Sequence, residues 1–168
     1  MIKKIFLSII IVILSFIFII FIGLLSYKII FSQKKIESFE INTPNFDKHI
    51  LIASQGSKFK NQLVKIFSDE LKMENFYIKV IDVSLLKNIK ISNWQSIIII
   101  NAIESGKLEK NVDNFIQKNS LYNNIILVIT SGSGKFMLKD YDIDAISTAS
   151  RMKNIENIKN LIIDRIIL

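Results

Sequence analysis

The stretch Ala53-Ser54-Gln55-Gly56-Ser57-Lys58 has the residue types to hold an anion. It follows the apolar run Ile50-Leu51-Ile52-Ala53 and precedes residues at helical spacing, Phe59, Leu63, Phe67 and Leu71. A turn joining a strand end to a helix start presents unpaired backbone N–H groups and the positive end of a helix dipole. Ser54 and Ser57 add hydroxyls, and Gly56 lets the backbone turn sharply. Lys58 adds a cation within the first helical turn, where it opposes the dipole unless an anion sits beside it. The structural alternative is plain: Gly56 and Ser57 turn the chain and cap the helix.

Other chemistry is excluded residue by residue. The chain has no cysteine, which removes thiol catalysis, disulfides and cysteine-ligated zinc. His49 is its one histidine, so neither a His-pair metal site nor a Ser-His relay with a spare partner can be built, and a surface position is expected for it. Gly134-Lys135 suggests a phosphate loop, but Ile129 stands where the first glycine is needed and Phe136 where a hydroxyl is needed. Asp140-x-Asp142-x-Asp144 opens like a calcium loop, yet Ala145 holds the required glycine position and Arg151 the required glutamate position.

The elements that would position the anion-binding stretch alternate along the chain. Apolar runs at Ile50–Ala53, Phe76–Val83, Ile97–Ile100 and Ile125–Ile129 read as strands, with a short fifth one at Ile143–Ser147. The run Ile97-Ile98-Ile99-Ile100 is apolar on both faces, as a central parallel strand must be when helices cover each side. Between the runs lie helical patterns, Phe59 to Leu71, then Leu108, Val112, Phe115 and Ile116, and finally Ile155, Ile158, Ile162 and Ile166. The stretch after Val83 is short and poorly periodic. Strands alternating with helices predict an α/β domain on a parallel sheet.

From Ile5 to Leu25 there is no charge, only Ser8, Ser15 and Gly23 among aliphatic and aromatic residues. About 20 residues at about 1.5 Å each cross a hydrocarbon core, so this run predicts a transmembrane helix. It is longer than a signal-peptide core and lacks an Ala-x-Ala cleavage site, so an uncleaved anchor is expected. The resulting division is an anchor over 1–28, a linker over 29–48 and a domain over 49–168. Lys3 and Lys4 flank one end of the run and Lys28, Lys34 and Lys35 the other, so basic residues leave both orientations open. The short basic tail before the run suits a signal-anchor that stays inside, and on that orientation the domain is expected outside the cytoplasm. The formal charge of +7 falls when the flanking Lys3, Lys4 and Lys28 are set aside, leaving 19 basic against 15 acidic residues. Those lysines are scattered singly with no aromatic interleaving, so no nucleic acid is expected as a partner.

In order and spacing of elements, residues 49–168 resemble the flavodoxin-like family. The resemblance is carried by Ile97 to Leu108, then Val112, Phe115 and Ile116, then Ile125 to Gly132 with its Thr-Ser-Gly exit. It implies a three-layer sandwich around a five-stranded parallel sheet of order 2-1-3-4-5. It further implies FMN as cofactor and electron transfer as activity. On that reading Ser54, Gln55, Gly56, Ser57 and Lys58 hold the FMN phosphate. Ala102, Ile103, Glu104, Ser105 and Gly106 flank the ring on one side, and Ser131, Gly132, Ser133 and Gly134 on the other. Gln55 and Lys58 replace the threonines of the family's turn, and Ser57 replaces its asparagine. The second expectation is therefore a non-enzymatic, partner-binding module that keeps the fold without the flavin. Asp144-Ala145-Ile146-Ser147-Thr148-Ala149-Ser150 is similar to a motif of FMN-binding domains that take flavin covalently, which implies Ser150 as acceptor. Its structural alternative is that Ser147 or Ser150 caps the last helix and Asp144 closes a turn.

Deletion of Met1 to Gln33 is expected to release a soluble, folded domain. Partition of the truncated protein with membranes after a high-salt wash would refute the anchor.

Overall fold

The computed structural model describes residues 2–31, 34–136 and 141–167. It divides the chain into two compact units, Met1–Gln33 and Lys34–Leu168. The first is a single helix, α1 (Ile2–Phe31). Within it Ile5–Ser26 has a mean hydropathy of 3.4 and buries none of its most apolar window inside the protein. These 22 residues make a helix long and apolar enough to cross a membrane. The hydroxyl of Ser15 donates to the carbonyl of Ile11 at 2.8 Å, so this polar group is satisfied within the helix itself.

The second unit is an α/β domain on a mostly parallel, mixed sheet. Its strands are β1 (Lys34–Lys35), β2 (Phe39–Ile41), β3 (Lys48–Gly56), β4 (Phe76–Asp82), β5 (Ser96–Ala102), β6 (Ile125–Ser131) and β7 (Asp144–Ala149). Their order is β2-β4-β3-β5-β6-β7, with β1 attached to β3. β3 through β7 are mutually parallel, whereas β1 on β3 and β2 on β4 are antiparallel.

Two expectations are corrected here. Among the described residues the sheet has seven strands rather than five, and it is mixed rather than wholly parallel. The extra strands come from residues 29–48, expected as a linker: that segment holds the end of α1, then β1 and β2. Strands of two and three residues are too short to show a period, and Lys34-Lys35 carries no apolar signal at all.

Both faces of the sheet are covered. Ile98 and Ile100 of β5 lie in a cluster with Phe59, Leu63 and Phe67 of α2 (Lys58–Leu71) and Ile158 and Ile162 of α4 (Ile155–Ile167). Ile97 and Ile99 lie in the opposite cluster with Val112, Phe115 and Ile116 of α3 (Lys110–Lys118). That second layer is completed by Val83, Leu86 and Ile91. They belong to two 3₁₀ turns, Val83–Asn88 and Ile91–Asn93, which make up the poorly periodic crossover between β4 and β5. All four isoleucines of β5 are fully buried.

The helix starts follow local capping chemistry. Ser57 caps α2, its hydroxyl accepting from the Lys60 N–H at 3.2 Å. Glu109 caps α3 through its carboxylate, so α3 begins at Lys110 and Leu108 packs against the layer from outside the helix. Asp144 opens β7 and pairs with Arg165 of α4 at 2.8 Å, instead of closing a turn.

Ile99→Asp is expected to abolish folding. An unpaired carboxylate at this site costs several kcal/mol, about the whole stability of a small domain. Thermal melting of the variant like that of the wild type would show that the strand tolerates charge and is not central.

Candidate functional site

In an open α/β sheet, ligands bind beyond the carboxyl ends of the strands, where neighbouring strands lead away in opposite directions. Here that point lies between β3 and β5. The stretch Ala53 to Lys58, expected from its sequence to hold an anion, sits on it, but in a different local structure from a free turn. β3 continues through Ser54, Gln55 and Gly56, because β1 pairs alongside it with Lys34 opposite Gly56 and Lys35 opposite Gln55. A Cβ at Gly56 would lie 2.7 Å from the backbone carbonyl oxygens of both Lys34 and Lys35. The glycine is thus required for the close passage of β1. Ser54 is fully buried and its hydroxyl donates to the Gln55 carbonyl at 2.9 Å.

The side chain of Gln55 closes the gap between the two strands. Its Oε1 accepts from the Ala102 N–H of β5 at 2.7 Å and from Lys60 Nζ at 3.2 Å. Both residues are buried, Gln55 at 5% and Lys60 at 2% exposure. Burial lowers the Lys60 pKa from the usual 10.5 to about 8, with the charge of Glu104 acting the other way. Lys58, by contrast, lies exposed at the start of α2.

The remaining candidates form two self-contained loops. Ile103 donates from its backbone to the Thr130 carbonyl at 3.0 Å, extending the contact of β5 with β6. Glu104 and Lys107 exchange backbone bonds of 3.1 and 3.0 Å around Ser105 (φ 51°) and Gly106 (φ 76°). Two successive positive φ values make this a tight turn of the hairpin kind. In the other loop the Ser131 hydroxyl accepts from the Gly134 N–H at 2.8 Å, and the Ser131 carbonyl accepts from the Ser150 N–H at 3.3 Å. Gly134 (φ 72°) leaves room for the β7 backbone, since a Cβ there would meet Ala149 N at 2.5 Å. Gly132 and Ser133 are exposed between these anchors. So the structure joins Gln55 to Ala102, and Ser131 to Gly134 and Ser150, while Ser57 and Lys58 stay on α2.

No protein-family model and no curated protein matches the chain.

Sequence reasoning missed the buried polar residues of this edge. Besides Lys60, they are Asn101 (0% exposed), Thr130 and Thr148, the last two paired directly across β6 and β7. Asn101 Nδ2 donates to the Ala102 carbonyl at 2.8 Å, and its Oδ1 is buried without a partner among the described residues. Lys60 was legible only as a lysine three residues beyond the cap, on the side of the helix that carries Leu63, Val64 and Phe67. The motif Asp144 to Ser150 is mostly strand β7; Ser147 bonds the Phe136 carbonyl and Ser150 is an exposed bend. Asp140 of the calcium-like stretch lies outside the described residues. Among the described residues no group of three His, Asp or Glu is placed to hold a metal ion.

His49 is half-buried within β3 rather than on the open surface. Its ring stands edge-on to Tyr77 at 5.1 Å and lies 6.2 Å from Trp94, while Nε2 bonds the Pro44 carbonyl at 3.1 Å. Among the grooves beside the helices, one of about 510 Å³ lies between α2 and the β1–β2 segment, and another of about 400 Å³ lies between α3 and the 3₁₀ crossover.

Lys60 gives the edge a distinct pH signature. Its folded pKa lies below its unfolded value, so the unfolded chain binds the extra proton between about pH 8 and 10.5. The contribution of Lys60 to stability therefore rises with pH across that window and is least favourable below it. Lys60→Met is expected to be more stable than the wild type at pH 7, by about 1–3 kcal/mol. That advantage should shrink as pH rises from 8 to 10.5, measured by urea denaturation of both proteins. A constant difference between them would show that Lys60 does not titrate in the folded state.

Proposed function

We propose that this chain is a membrane-anchored flavodoxin-like domain that serves as a non-enzymatic, partner-binding module. The observation that carries the reading is Gln55. Its Oε1 joins Ala102 N–H and Lys60 Nζ in the crevice that the fold class otherwise opens to a ligand. A flavodoxin-like architecture is supported by the sequence of parallel strands β4-β3-β5-β6-β7, with α2 and α4 on one face and α3 on the other. Numbering only these five strands in chain order gives 2-1-3-4-5.

FMN fits these residues poorly. A phosphate turn needs several free backbone N–H groups, and here Gln55 and Gly56 lie in the β1 ladder with carbonyl oxygens packed over the glycine. The hydroxyl of Ser57 is engaged by its own helix. One feature favours the rival reading, an FMN carrier that transfers electrons: Lys58 is exposed beside the α2 N-terminus. In either case the helix over Ile5–Ser26 supplies the anchor, and the basic residues Lys3 and Lys4 support a domain outside the cytoplasm.

The purified protein is expected to be colourless, and titration with FMN to produce no change in flavin fluorescence. Saturable FMN binding that Lys58→Ala weakens by about tenfold, the loss expected for a charge-assisted bond, would establish the carrier instead.

A further inference from the structure

We propose that the groove between α3 and the 3₁₀ crossover docks an acidic, partly apolar peptide segment of a partner protein. The inference deepens the binding-module reading by naming the partner's chemistry, and it rests on that reading. Its origin is a shortage of helix. The link from β4 to β5 must cross the face of the sheet over β3, and it does so in two 3₁₀ turns, Val83–Asn88 and Ile91–Asn93. Such turns plug the sheet with Leu86 and Ile91, and among the described residues no α-helix lies against this flank of α3.

The exposed flank is set by helical spacing. Residues 111, 114, 115, 118, 119 and 122 recur at intervals of three and four, and each lines the groove. Its floor is apolar, built from Leu86, Ile91 and Phe115. Its rim carries Lys87 and Lys90 on the crossover and Lys118 on the helix, all exposed. Among the described residues none of the three forms an ion pair, and none that lines the groove is acidic. The acidic Asp113 lies on a different row of α3, bonded to Gln117 and to the Tyr141 hydroxyl. Tyr122, which lines the groove, is half exposed. A cavity of about 400 Å³ takes a few side chains, not a folded surface.

Cations without an ion pair among the described residues, set around an apolar floor, call for carboxylates around an apolar anchor. Charge complementarity of this kind sets specificity and speeds encounter. The amides of Asn111, Asn114 and Asn119 line the same groove and suit the polar backbone of a peptide. A nucleic acid fits less well, because its backbone needs a continuous track of cations and stacking aromatics along the strand.

The test uses the full chain in nanodiscs of zwitterionic lipid. The probe is a fluorescein-labelled peptide of glutamate and leucine at helical spacing, read by fluorescence anisotropy. A matched peptide with glutamine for each glutamate is the control. The acidic peptide is expected to bind, and the control to bind at least tenfold more weakly. Lys87→Ala, Lys90→Ala and Lys118→Ala combined should weaken the acidic peptide about tenfold while leaving the melting temperature unchanged, since all three side chains are exposed. Failure of the acidic peptide to bind, equal binding of the two peptides, an unaffected triple variant, or displacement by a single-stranded oligonucleotide would each overturn the proposal. FMN titration of the same sample reports separately on the crevice, so failure of the groove and failure of the binding-module reading are distinguishable.

Discussion

A parallel sheet cannot leave either face in water, and most of this domain follows from that. Parallel strands need long crossovers, and the crossovers must supply the cover. Here the cover is uneven. One face receives two full helices, α2 and α4, whose buried residues recur at helical spacing against Ile50, Ile52, Ile98 and Ile100. Among the described residues the other receives one helix, α3, and a stretch of 3₁₀ turns, with Phe136 and Tyr141 packed beside them. The first face is therefore sealed by helix–sheet packing. The second is sealed by single inserted side chains such as Leu86, and its margin is left open along α3.

The same uneven economy governs the carboxyl edge. Beyond Ser54 the partner strand β4 has ended, since Asp82 pairs opposite Ser54 as its last residue. β1 takes over the vacated side of β3 in the opposite direction. Asp82 secures the segment that follows, its carboxylate accepting from Ile36 N–H at 3.2 Å and from Ser84 N–H at 3.0 Å. On the other side of β3 the Gln55 amide satisfies the Ala102 N–H. Both flanks of the strand end are hydrogen-bonded by the chain itself. A buried lysine can be tolerated there because the Gln55 oxygen faces it.

The central sheet was legible because its signal is redundant. Four consecutive isoleucines in β5 and five apolar residues in β6 can sit only where both faces are buried, and the helix stripes of α2 and α4 match them. The capping serine at position 57 was legible as one of two roles, and the structure gives it the capping role. What escaped the sequence was anything defined by a long-range partner. Nothing local to Ser54-Gln55-Gly56 shows that Lys34 and Lys35 will lie beside it, so a strand end looked like a free turn. Nor does Lys60 differ in type from the exposed lysines around it. Its burial is decided by which side of α2 faces the sheet, one step of a period that also governs Leu63 and Phe67. His49 was misjudged for the same reason, since Tyr77 and Trp94 reach it from elsewhere in the chain.

The three residues of β2 have a consequence out of proportion to their length. β4 reads Phe-Tyr-Ile-Lys-Val-Ile-Asp and is almost wholly buried, so without a neighbour its open edge would be a template for another chain's strand. β2 occupies that edge from Ile78 to Val80, and Glu40 bonds Lys79 across it at 2.8 Å. The new border is short, largely exposed and charged at its middle, features that discourage further strand addition. On the proposed anchoring, copies sharing one bilayer would meet in two dimensions, at high local concentration, and there a strand that ends the sheet would guard them against fusing edge to edge.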